Sequence, residues 1–171
     1  MSDGTPRIGF VLGSKNDLPQ LERAEAFLER LGVPYEVRII SAHRTPDRAH
    51  EYATTARDRG LSAIIAMAGR AAHLAGVMAA TARVPVLGVP AAGGALDGFD
   101  ALLSTVQMPG GIPVATFAIG KAGAQNAAIF ACQMIALSDE QMARKLDAYR
   151  SEMASSVERD DDDVRASRAG G

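Results

Sequence analysis

Two histidines, two arginines, two serines and an aspartate fall in three short polar stretches. These are Gly13-Ser14-Lys15-Asn16-Asp17, Ser41-Ala42-His43-Arg44-Thr45-Pro46 and Ala68-Gly69-Arg70-Ala71-Ala72-His73. Histidine is the side chain suited to passing protons near neutral pH. The arginine fork suits a phosphate or a carboxylate. Glycine lets backbone approach a ligand, and a helix that starts after such a loop offers free N–H groups to an anion. The chemistry these residue types imply is a histidine proton shuttle acting on a small phosphorylated ligand.

Taken singly, each residue also has a plainer use. Ser14 and Asp17 suit the cap of a first helix, and Thr45-Pro46 is a helix start. His43 follows a strand in a polar loop and reads equally as a surface histidine. His73 opens a helix among alanines and can serve packing. His50 falls in mid-helix, where solvation suffices. Arg70 can pair with a carboxylate. What favours chemistry is that all three stretches close a strand, so one rim of a sheet would receive them together.

The elements that must position these residues alternate regularly. Apolar, β-rich runs at 7–12, 35–40, 63–67, 86–89 and 114–119 read as five strands, apolar enough to lie between helices. Between the first two, Leu18, Leu21, Ala24, Leu28 and Leu31 share a helical face, with Asn16 or Asp17 to cap it, Pro19 in its first turn and Gly32 to stop it. Thr45-Pro46 starts a second helix with its stripe at Ala49, Tyr52, Ala53 and Ala56, ended by Gly60. Residues 71–81 and 98–106 supply two more. The order βαβαβαβαβα implies right-handed crossovers and an open, doubly wound parallel sheet. In such sheets ligands bind beyond the carboxyl ends of the strands, where the three stretches lie.

The C-terminal third breaks the rhythm. Residues 124–137 are apolar around most of a helix. A further helix from 138 to about 157 carries a stripe at Met142, Leu146, Tyr149 and Met153 with no strand after it. Such a helix must fold back on its own domain or dock on a neighbouring subunit, and the apolar helix before it favours an oligomer. From Glu158 the run Arg159-Asp160-Asp161-Asp162-Asp163 reads as a flexible acidic tail, 158–171, behind a single domain over 1–157.

Composition removes several alternatives. The chain has 171 residues and a net charge of −2, with no basic excess for nucleic acid or an anionic membrane. Aromatic residues make up 5%, with no Trp, so a base-stacking platform is not expected. The single Cys132 excludes an internal disulfide and a cysteine-based zinc site, and inside an apolar helix it reads as inert filler. Gly9 and Gly13 do not make GxGxxG, Gly120-Lys121 is not a P-loop, and there is no GxSxG elbow or HExxH pair. No metal site or cofactor is expected. Met1-Ser2-Asp3-Gly4 does not open a signal peptide and no run is long enough to span a bilayer, so a cytoplasmic location is expected.

Six segments then form a set: GSKND (13–17), SAHRTP (41–46), AAHLAG (71–76), PVLGVP (85–90), STVQMPGGIPVAT (104–116) and AIGKAGAQNAA (118–128). In register over most of the chain, they resemble the PurE family, and within it the class I branch of N5-carboxyaminoimidazole ribonucleotide mutases. That resemblance implies a flavodoxin-like three-layer α/β/α fold with extra C-terminal helices, and an octamer. It implies a carboxylate moved from the exocyclic nitrogen to ring carbon C4 of an aminoimidazole ribonucleotide, without ATP, metal or cofactor. By the same resemblance His43 is the general acid/base. Ser14, Asp17 and Arg44 bind the ribonucleotide, and Ser41, Gly69 and His73 complete the pocket.

Two stretches depart from the class I pattern. Arg70 stands where that branch usually has glycine, and its Ala68-Gly69-Arg70 triplet resembles the class II branch, which carboxylates aminoimidazole ribonucleotide with carbon dioxide directly. Residues 91–98 (AAGGALDG) replace a usually more polar loop with glycines. Class II activity, and a nucleotide-binding module without catalysis, therefore remain as alternative readings.

Overall fold

The computed structural model describes residues 7–169. Five strands form one parallel sheet: β1 (Ile8–Leu12), β2 (Tyr35–Ile39), β3 (Ala63–Ala68), β4 (Val86–Pro90) and β5 (Ala115–Thr116). Their spatial order is β2-β1-β3-β4-β5. This is the flavodoxin-like, doubly wound arrangement expected from the sequence, with its switch point between β1 and β3. Ile8 lies opposite both Tyr35 and Ala63, which brings the carboxyl ends of β1, β2 and β3 level.

The three central strands are buried almost throughout, as their apolar runs predict. Fully burying a side chain such as Ile64 or Ile65 contributes about 1.5–3 kcal/mol. The edges differ from the expectation of cover on both faces. β2 is only half-buried and ends exposed, and β5 shrinks to two residues of the six expected. An edge strand has a neighbour on one side only, so fewer of its side chains are enclosed. At Gly88 in β4 an added Cβ would come within 2.4 Å of Thr105 and 2.8 Å of Val114. Glycine there lets the helix bearing Thr105 lie directly on the sheet.

The helices are α1 (Glu22–Leu31), α2 (Pro46–Thr55), α3 (Leu74–Ala79), α4 (Phe99–Val106), α5 (Gly120–Ala136) and α6 (Glu140–Ala169). The first helix starts later than its apolar stripe suggests. Residues Lys15–Gln20, including Pro19, form a tighter 3-10 turn capped by Ser14, and Glu22 opens the α-helix proper. Gly32 stops it in the left-handed conformation, as expected.

A cluster of the buried Tyr52 with the half-buried Glu36 and Arg59 ties α2 to the sheet edge. The Tyr52 hydroxyl donates to Glu36 Oε1 at 2.8 Å, Arg59 donates to the same oxygen, and the Arg59 guanidinium lies 4.4 Å over the Tyr52 ring. Burial alone would raise the Glu36 carboxyl, but hydrogen bonds from Arg59 and Tyr52 outweigh it and hold it below the usual range.

The chain divides into two compact units, one ending at Ala131 and one starting at Cys132. In the second, Met142 and Leu146 of the α6 stripe are buried, while Met153 is 45% exposed. The sequence ends this helix near Val157 and reads 158 onward as a tail. The structure instead continues α6 through Ala169, with every residue from 151 to 168 exposed. Neither Gly nor Pro interrupts residues 140–168, and Arg165 pairs with Asp161 and Asp162 along the helix surface, which offsets part of the repulsion in the aspartate run.

Candidate active site

The loops that follow β1 to β4 enclose a cleft of about 660 Å³. Six of the seven residues predicted for the site line it: Ser14, Asp17, Ser41, His43, Arg44 and Gly69. The seventh, His73, joins through His43, whose Nε2 lies 2.8 Å from His73 Nδ1 with the rings edge to face. His50 is exposed on α2, apart from the cleft lining.

Each loop is shaped by short-range bonds. Ser14 accepts from the Asn16 N–H at 3.2 Å, so its hydroxyl oxygen caps the 3-10 turn and its rim position follows from that cap. The Asp17 carboxyl is raised above its ordinary 3.8, chiefly by burial, with a backbone hydrogen bond from Ser14 acting against the rise. The second loop is tied into a knot. Thr45 Oγ1 accepts from the Ser41 N–H and donates to the Ser41 carbonyl, at 3.1 and 2.9 Å. Thr45 is thus not the side-chain cap of α2 that Thr-Pro suggests. Ser41 Oγ in turn accepts from the Arg44 backbone N–H and Nε, at 3.2 and 3.4 Å, and Arg44 Nη2 reaches the Gly13 carbonyl at 3.4 Å. Arg44 is therefore aimed before any ligand arrives.

The third loop turns sharply at Arg70, whose φ of 55° is the left-handed region that favours glycine. His73 then stands immediately before α3.

The far wall is Ala91, Ala92, Gly93 and Gly94. The double glycine signals close approach in the sequence. The device that fixes the wall has no sequence signal, because it joins residues far apart in the chain. The Gln20 side-chain amide accepts from the Ala92 N–H at 2.8 Å and donates to the Ala92 carbonyl at 3.4 Å. Gln20 is a positioning residue that reading the sequence missed.

The cleft thus brings together one carboxylate, two guanidinium groups and a coupled histidine pair. It can hold an anionic ligand against Arg44 while a histidine exchanges protons with it.

Known proteins resemble this chain over most of its length. The AIR carboxylase family model matches residues 7–156. The N5-carboxyaminoimidazole ribonucleotide mutase of Bacillus subtilis is 53% identical over 89% of this chain and 94% of its own length. The mutase of Pyrococcus abyssi is 51% identical over 88% and 85%. The crystal structure of Treponema denticola PurE matches with a TM-score of 0.81 at 26% identity, over 91% of this chain and 96% of that one. With the family match running from the first strand into the last helix, this chain belongs to the AIR carboxylase family.

Proposed function

We propose that this chain is an N5-carboxyaminoimidazole ribonucleotide mutase of purine biosynthesis, an isomerase that moves the carboxylate from the exocyclic nitrogen to C4 of the imidazole ring. The observation that carries the reading is the His43–His73 pair at the edge of a cation-bearing cleft, in a chain about half identical to proteins of that name. Ser14, Asp17 and Arg44 bind the ribonucleotide, with Ser41, Gly69 and His73 completing the pocket.

The two proton transfers fit one histidine. The contact with His73 Nδ1 occupies His43 Nε2, so the remaining His43 nitrogen, Nδ1, is the working atom. Protonated there, His43 gives its proton to the exocyclic nitrogen as the N–C bond breaks and carbon dioxide leaves. The electron-rich C4 attacks the enclosed carbon dioxide, and the neutral His43 takes the C4 proton as the ring regains aromaticity. The histidine ends as it began, so the cycle needs no external acid or base. Enclosure matters because a held reactant behaves as if highly concentrated.

The catalytic domain covers residues 1–157, consistent with a family match to residue 156, and the acidic segment 158–171 is an appendage outside the chemistry. We assign the enzyme to the cytoplasm. Among the described residues no helix is long and apolar enough to cross a membrane. Assembly into an octamer suits the apolar side chains left open on and beside α4, such as Leu96 and Phe99, which are 60% and 56% exposed.

The test is an ultraviolet assay of the purified protein without ATP. Freshly prepared N5-carboxyaminoimidazole ribonucleotide should convert rapidly to the C4-carboxylated product, while aminoimidazole ribonucleotide with low bicarbonate should not. Efficient use of the second substrate would instead indicate direct carboxylation. Turnover of neither would leave a binding module.

A further inference from the structure

Arg70 combines three features that no structural use accounts for. It adopts a left-handed backbone conformation that a residue with a side chain rarely takes, and such outliers persist where the surrounding structure or a function demands them. It lines the cleft, its Cγ and Nε running along Gly94, 3.7 and 3.8 Å from where a Cβ there would stand. Among the described residues its hydrogen bonds are accepted by its carbonyl, from Ser104 Oγ and the Ala72 N–H. Its guanidinium has no partner among the described residues.

The cleft already contains one arginine in a different condition. Arg44 commits Nε to Ser41 and Nη2 to the Gly13 carbonyl. Asp17 also lines the cleft, yet no ion pair joins it to Arg70. Arg70 therefore presents an exposed planar fork of donors that no described protein group engages, across a wall whose Gly93 and Gly94 occupy none of the space in front of it. A group of that kind in a cleft fits an oxyanion, bound through paired N–H donors.

We propose that Arg70 is a substrate-contacting specificity residue that binds an oxyanion of the ligand, its phosphate or its carboxylate. This deepens the proposed function and rests on it for the identity of the substrate.

Glycine accepts the left-handed backbone without strain, so Arg70→Gly should fold at least as well as the parent, with an unlowered thermal midpoint. In the mutase assay it should raise KM about tenfold and leave kcat within about twofold. Arg70→Lys should recover part of the loss, since it keeps the charge but not the fork. Calorimetry on the full chain would separate the two anions, with ribose 5-phosphate probing the phosphate and the phosphate-free 5-aminoimidazole-4-carboxylate ribonucleoside the carboxylate. Weaker binding of either probe to Arg70→Gly supports the proposal and identifies the anion. Unchanged KM together with unchanged affinity for both probes would overturn it. A parent protein without mutase turnover would refute the function instead, and an Arg70-dependent affinity for either probe would still stand.

Discussion

Two polar clusters in this molecule hold similar side chains in opposite conditions. At the edge of the sheet, the buried Tyr52 and the half-buried Glu36 and Arg59 bond to one another. At the carboxyl ends of the strands, hydrogen bonds to neighbouring groups hold Arg44 and the histidine pair, Asp17 lies half-buried, and Arg70 has no side-chain partner among the described residues. The first cluster spends most of its bonding capacity on itself, leaving the buried Arg59 Nη2 as its unpaired donor among the described residues, and adds to the stability of the fold. The second holds Arg44 and His43 by part of each side chain and leaves other polar atoms facing the cleft unengaged by the protein, which is the arrangement expected of a binding site preorganised by its scaffold. A cluster of charged groups therefore says little by itself. What separates the two is whether the groups consume one another's capacity.

The sharpest separation should come from His43→Asn. Losing the general acid/base should lower kcat by about a hundredfold to ten-thousandfold. Ligand affinity and the thermal midpoint should stay close to the parent's, because His43 is exposed. A variant that keeps the parent rate would remove His43 from the chemistry.

Glu36→Ala tests the other cluster and should reverse the pattern. It leaves Arg59 and Tyr52 without their shared acceptor, so stability in urea should fall by about 1–3 kcal/mol while kcat/KM is preserved. The sign with pH also follows. The Glu36 carboxyl is lowered in the folded protein, so its contribution is complete above the unfolded value near 4.5 and is lost as pH falls through the lowered folded value. The difference between parent and variant should shrink on acidification. A loss of activity at full stability would break the contrast between the clusters.

The smallest effect is expected from Asp17→Asn on stability. Burial raises the Asp17 carboxyl, so ionising it opposes folding. That cost is absent below the unfolded value of 3.8 and complete once pH exceeds the raised folded value. At neutral pH Asp17→Asn should melt slightly higher than the parent yet bind the ribonucleotide more weakly, and the melting difference should vanish as pH falls below 3.8. Equal melting at pH 7 would mean that Asp17 bears no such cost.

Much of this was legible in the sequence, because fold and loops leave local signatures. Five apolar runs with helical stripes between them give the parallel sheet and its order class, and polar stretches directly after three strands give the rim. The misplaced details depend on distant partners or on competing local bonds. Pro19 suggests the first turn of an α-helix, but Ser14 caps a 3-10 turn that absorbs it. Thr45 reads as a helix cap, but its hydroxyl closes the loop on Ser41. The Gln20 hold on Ala92 and the approach of His73 to His43 exist only once the sheet has brought separate loops together. The end of α6 was misjudged because the aspartate run suggests fraying, whereas nothing in residues 158–168 breaks a helix.

The cleft's place at the seam between β1 and β3 bears on how the protein is made. β1 must pair with a strand that the chain reaches only after β2 and two helices, with Ile8 opposite Ala63. Helices can form from neighbouring residues within microseconds, whereas distant pairings close later. A chain emerging from the ribosome carries the GSKND and SAHRTP loops well before the wall that completes them. Affinity for substrate therefore arrives with the finished strand order. Because a ligand stabilises only the state that binds it, the substrate itself favours chains whose central seam has closed correctly.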